Sequence, residues 1–247
     1  MIELKNVSKI FGDVKAVDNI CLAIRNNTVM GLLGTNGAGK STLLRMMAGV
    51  LKPDDGEILI DEIPVWNNPE AKGKFFYISD DQYYFPNSTP KEFGSFYKTY
   101  YPAFDEERFH LLLEKIDLPA DRKIRTFSKG MKKQLSVICG VCAGTKYLLC
   151  DETFDGLDPV MRQAVKAIFV KEIEERGLTP IIASHNLREL EDICEYVGLL
   201  HRGGILLAKD MEDMKINIHK MQIVIKDNVT LDKIKERFEV VKVENRG

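Results

Sequence analysis

The chain has no apolar run long enough to cross a bilayer. Its longest candidate, residues 135–144, has about ten residues where a span needs ~20. An excess of one charge is also missing: 35 lysines and arginines face 37 aspartates and glutamates, a formal net charge of −2. No global basic field exists to hold nucleic acid, so no nucleic-acid partner is expected. The opening Met1-Ile2-Glu3-Leu4-Lys5-Asn6 lacks the charged-then-apolar order of a secretory leader, so a cytosolic chain is expected. Cysteines are few: Cys21, Cys139, Cys142, Cys150 and Cys194. An odd count scattered through apolar segments reads as reduced, buried thiols rather than a disulfide framework. Cys139 and Cys142 form a C-x-x-C, but no second pair or histidine partner stands at zinc spacing. They read as small core residues of a helix. Internal repeats and low-complexity tracts are absent.

What is present is an ordinary globular balance, 45% apolar and 29% charged, over 247 residues. That length allows one large α/β domain, or one domain with a small appendage. Short apolar runs at residues 30–33, 75–78, 147–150, 180–184 and 197–201 read as buried strands. They alternate with helical patterns, as in a parallel sheet covered on both faces. Residues 2–7 and 57–60 alternate polar with apolar and read as antiparallel strands. Residues 91–146 show helical periodicity and almost no strand signal, a helical insertion. After about residue 210 the pattern changes to a small strand-helix-strand appendage, and the last residues stop where a hairpin turn is expected, as in a shortened form.

The chemistry begins at Gly34-Thr35-Asn36-Gly37-Ala38-Gly39-Lys40-Ser41-Thr42, a G-x-x-x-x-G-K-S between a strand and a helix. Glycines let successive N–H groups turn toward phosphate oxygens, and the helix adds its positive end. Lys40 is expected at the β- and γ-phosphates of ATP, and Ser41 at Mg²⁺. A second constellation is Tyr147-Leu148-Leu149-Cys150-Asp151-Glu152, an apolar strand ending in two carboxylates. Asp151 suits Mg²⁺, and Glu152 suits a base that polarises water.

With Phe127-Ser128-Lys129-Gly130-Met131 added, the chain resembles the nucleotide-binding subunit of an ATP-binding-cassette (ABC) transporter over residues 1–210. That segment matches the family signature LSGGQ at Ser128 and Gly130, while Lys129 replaces a glycine. The resemblance implies a P-loop NTPase cassette: a mixed sheet core, an antiparallel β subdomain and a helical subdomain at about 84–146. The small C-terminal α+β appendage at 211–247 would follow it. It implies that Ser128, Lys129, Gly130 and Asp158, the last in Asp155-Gly156-Leu157-Asp158-Pro159, close the ATP site of a second ATPase subunit, identical or paralogous. It also implies that His185, in Ser184-His185-Asn186, contacts the γ-phosphate and the attacking water, and that Phe11 stacks on adenine.

One element departs from the family. The position that usually carries a metal-binding glutamine falls on Asp80, in Ser79-Asp80-Asp81-Gln82, with Gln82 two residues later. Asp80 is expected to reach Mg²⁺ through oxygen and to act in hydrolysis. Aromatics Phe93, Phe96, Tyr97, Tyr100, Tyr101 and Phe104 are spaced as one helical stripe, serving the insertion's core and a groove for a permease helix. Within the family, the altered signature resembles ATPases of bacterial ABC-2-type exporters of amphipathic peptides, antimicrobials or lipids. Such a subunit sits at the cytoplasmic face of the membrane beside a separate transmembrane permease. The alternative is a soluble ABC-type ATPase scaffold of the iron–sulfur assembly kind. A chromosome-organising ATPase is excluded, because only 111 positions separate Lys40 from Asp151, too few for a coiled coil.

Overall fold

The structure, a computed structural model, describes residues 1–216; the expected appendage lies almost wholly outside them. The chain opens with β1 (Ile2–Phe11) and β2 (Val14–Ile24), then β3 (Met30–Leu33) and α1 (Lys40–Met47). Next come β4 (Asp55–Ile60), β5 (Ile63–Pro64), α2 (Pro69–Lys72) and β6 (Phe75–Ile78). The helical insertion comprises α3 (Pro90–Tyr100), α4 (Glu106–Lys115), a single 3₁₀ turn at Ile124–Thr126, and α5 (Lys129–Cys142). β7 (Tyr147–Asp151), α6 (Pro159–Arg176), β8 (Thr179–Ser184) and α7 (Leu187–Glu191) return to the sheet. β9 (Tyr196–His201), β10 (Gly204–Asp210) and α8 (Met211–Ile216) complete the described chain.

Two sheets result. One is antiparallel, in the order β2-β1-β4-β5; the other is mixed, in the order β10-β9-β3-β8-β7-β6. Within the mixed sheet β9, β3, β8, β7 and β6 run parallel, and β10 turns back antiparallel on β9. Alternate residues of the parallel strands feed two different cores, as a pleat of period two demands. Leu148 and Cys150 of β7 pack with Phe76, Ile78 and the apolar face of α5. Tyr147 and Leu149 point the other way, to α1 and the antiparallel sheet. Because the parallel strands share one direction, their C-terminal ends meet along one edge. That edge carries the phosphate loop after β3, Asp80 after β6, Glu152 after β7 and His185 after β8, the usual place for ligands in open α/β sheets.

Three expectations change. Cys21 is exposed, accepting from the Asn6 N–H at 3.3 Å, whereas the other four thiols are buried. β2 places Cys21 on the solvent side because the antiparallel sheet is covered on one face only. The aromatic stripe is helical only to Tyr100; Tyr101 ends α3 in an extended conformation and Phe104 lies beyond it, buried before α4. Pro102, which follows Tyr101, biases that residue away from helical backbone angles. Strands β2, β5 and β10, which the sequence pattern did not mark, extend the two sheets with antiparallel neighbours, β2 and β5 in one and β10 in the other.

Candidate active site

Residues 34–39 wrap from β3 into α1. Gly39 stands at φ 104°, and a Cβ there would sit 2.3 Å from the Ala16 carbonyl oxygen, so only glycine fits. Helices α2 to α7 each have a side chain capping their N-terminus: Asn68, Thr89, Asp105, Ser128, Asp158 and Asn186. α1 has a glycine at that position and no side-chain cap. Its first-turn N–H groups are thus directed at whatever the loop encloses, which suits a phosphate. Gly34, Asn36, Gly37, Ala38, Lys40, Ser41 and Thr42 all lie on this loop-to-helix unit, as expected.

The acidic end of β7 meets this unit. The Ser41 hydroxyl donates to Asp151 Oδ1 at 2.9 Å. Asp151 is fully buried; burial, then the neighbouring charges of Glu152 and Asp80, raise its carboxyl above the ordinary value despite the Ser41 bond. A hydroxyl beside a buried, charge-stressed carboxylate is a hard-oxygen donor set that fits Mg²⁺. Lys40 is buried and donates to the Gly34 carbonyl at 2.7 Å, while pairing with Glu152 Oε1 at 3.3 Å. The other Glu152 oxygen lies 2.9 Å from His185 Nδ1. Glu152 therefore links the phosphate lysine to the β8 histidine.

The remaining expected residues group elsewhere. Ser128 caps α5 by accepting from the Met131 N–H at 3.2 Å, and Asp158 caps α6 through Met161 at 2.9 Å. Lys129 pairs with Asp155 at 2.8 Å, and Gly130 faces the Gly156 carbonyl oxygen and the Leu157 side chain, so the two segments form one surface. Phe11 is 48% exposed with the Lys9 ammonium 5.5 Å from its ring centre, which excludes a core role. Its hairpin carries Ala16, the residue against which Gly39 is pressed. Asp80 pairs with Lys133 at 2.9 Å, and Gln82 donates to the Tyr97 hydroxyl at 3.2 Å.

Two participants carry no sequence signal. Tyr77 directs its hydroxyl at Asp151 Oδ2, 3.5 Å away, and burial beside that charge pushes its pKa up to about 12. Lys133, in a basic stretch of α5, donates to Asp80 and also to the Glu152 backbone oxygen. A tyrosine in an apolar strand and a lysine in a helix are too common to mark a site.

Comparison with known proteins decides the family. Residues 17–155 match the ABC transporter family. The chain belongs to the ABC transporter ATP-binding family. It is 31% identical over 231 residues to the ABC transporter ATP-binding protein YtrB of Bacillus subtilis, covering 94% of this chain and 79% of that one. The bacitracin transport ATP-binding protein BcrA of Bacillus licheniformis is 29% identical over 87% of this chain and 71% of its own length. Among solved structures, the dimeric ABC transporter cassette MJ0796 superposes with a TM-score of 0.78 at 23% identity, over 85% of this chain and 99% of that one. The chain is thus an ABC ATPase that binds and hydrolyses ATP, with the mixed and antiparallel sheets of that fold. Among the described residues no helix is long and apolar enough to cross a membrane.

Proposed function

We propose that this ATPase powers a separate transmembrane permease from the cytoplasmic face of the membrane, exporting amphipathic peptides, antimicrobials or lipids. The observation that carries the ATP chemistry is Glu152 bridging Lys40 and His185 next to the Ser41–Asp151 pair. The β- and γ-phosphates draw on the same Lys40 ammonium that now pairs with Glu152, which frees that carboxylate to face the attacking water. Glu152 accepts the water proton as the oxygen bonds to the γ-phosphorus and the bond to the ADP oxygen breaks. His185 holds the carboxylate in place, and Phe11 offers an exposed ring for adenine. Ser41 and Asp151 would hold Mg²⁺, with Asp80 beside them. When bound, that ion supplies neutralisation of phosphate charge.

Export is supported by the likeness to the bacitracin transport protein, and a permease contact by the aromatic face of the insertion. Phe96, Tyr97, Tyr100 and Tyr101 line a groove of about 440 Å³ with Pro69 and Lys72, where an apolar cytoplasmic helix would fit. The surface of Ser128, Lys129, Gly130 and Asp158 is assigned to the ATP of a second subunit.

The test is Glu152→Gln. A neutral amide cannot take the proton, so hydrolysis should fall about 100-fold or more while ATP stays bound. Sedimentation of that variant with saturating ATP should show a stable dimer; a monomer would contradict the shared site.

A further inference from the structure

Asp80 stands where this family usually has a glutamine, and the structure gives it a specific partner. Lys133 projects from the second turn of α5, its side chain 8% exposed, and places its ammonium between Asp80 Oδ1 at 2.9 Å and the Glu152 carbonyl oxygen. A buried ammonium needs a counter-ion, and the geometry makes Asp80 that partner. Three loci that are distant in sequence are tied together: the segment after β6, the first turns of α5 and the residue after β7.

The tie ends on a strained residue. Glu152 has φ 47°, in the left-handed region that a non-glycine residue adopts only against steric cost. Such a conformation persists only where surrounding contacts impose it. The Glu152 N–H donates to the Ala183 carbonyl at 3.1 Å, and its own carbonyl accepts from the Asp155 N–H at 3.2 Å. Lys133 adds a charge-assisted bond to that same carbonyl. The Glu152 side chain, shared between Lys40 and His185, then points according to how this backbone is set.

We propose that Lys133 is a positioning residue for Glu152, with Asp80 as its counter-ion, so that Asp80 acts on hydrolysis through Lys133 and not as a metal ligand. This rests on the reading of Glu152 as the base. The replacement of a neutral glutamine by an acid is then matched by a lysine across the site, and the two act as a unit.

The intact chain is assayed for ATP turnover as Lys133→Met, Lys133→Arg, Asp80→Asn and the Lys133→Met/Asp80→Asn double variant, with Glu152→Gln as control. Lys133→Met should lower kcat about tenfold, as small misplacement of a reacting group does, with KM for ATP within about twofold. Lys133→Arg should recover most of the rate. The double variant should be no worse than Lys133→Met alone, because coupled residues are not additive. The Mg²⁺ concentration for half-maximal rate should stay the same in all of them. Parent-like kcat in Lys133→Met overturns the proposal, as does loss of fluorescent ATP-analogue binding in that variant. A several-fold higher Mg²⁺ requirement confined to Asp80→Asn overturns it too, and makes Asp80 a metal ligand. If Glu152→Gln keeps parent turnover, the reading of Glu152 as base fails instead, and the positioning role falls with it.

Discussion

The two ends of β7 each meet a buried or half-buried aspartate, and the two are shifted in opposite directions. At the first end, Asp61 accepts from the Lys146 ammonium at 2.8 Å, from the Met1 amino group at 2.6 Å and from the Tyr147 hydroxyl at 2.6 Å. Burial pushes the Asp61 carboxyl up, but these donors outweigh it and hold it well below the usual carboxylate range. At the other end, Asp151 accepts only from the neutral hydroxyls of Ser41 and Tyr77, and burial with the Glu152 and Asp80 charges pushes it upward. Asp61 is matched by the chain's own cations; Asp151 is not, because Lys40 and Lys133 pair with its neighbours Glu152 and Asp80 and the Arg45 charge is too weak to offset burial. One strand thus separates a fastening from a working site, and acidic residues alone do not tell them apart. The balance of donors does.

The contrast is broken or sharpened by removing each charge. Asp61→Asn should cost about 2 kcal/mol at neutral pH, since charge-assisted bonds are lost. A carboxylate held below its ordinary value of 3.8 stabilises the fold above that pH, and the benefit disappears as pH falls through the lowered value. Urea unfolding at pH ~7 and ~3.5 should therefore show a gap that narrows in acid. Turnover per folded molecule should not change. Asp151→Asn should do the reverse, raising stability by on the order of 1 kcal/mol at neutral pH, because a buried charge is removed. Its raised carboxyl stabilises the fold only when protonated, so this gain should shrink as pH falls toward the ordinary value of 3.8. The same substitution should abolish Mg²⁺-dependent hydrolysis. Losses of stability in both variants would erase the distinction between the two ends.

Much of this was legible in the residues. The phosphate loop is dictated by local backbone needs, such as the positive φ of Gly39, so its letters announce it. The carboxylates after β7 are announced by the apolar strand that must bury Leu148, Leu149 and Cys150 before them. β2 stayed hidden because Lys15, Asp18 and Asn19 interrupt its apolar alternation, on a sheet with one solvated face. The exposure of Cys21 follows from that same face. The stripe from Phe93 to Phe104 mimicked one helix, though Tyr101 leaves it, because a turn returned Phe104 to the same core. Lys133 and Tyr77 depend on α5 and β6 meeting the end of β7, which long-range packing decides and no local pattern encodes.

The most direct test of the central claim, that the stressed end of β7 and the α1 loop together form the ATP site, is the unfolding midpoint with and without Mg²⁺ and ATP. Ligand at about 100 times its dissociation constant should stabilise the parent by ~2.7 kcal/mol, several degrees in a domain of this size. Lys40→Ala, which loses the ammonium shared by phosphate and Glu152, should show a far smaller rise under the same conditions. Equal rises in parent and variant would contradict the account.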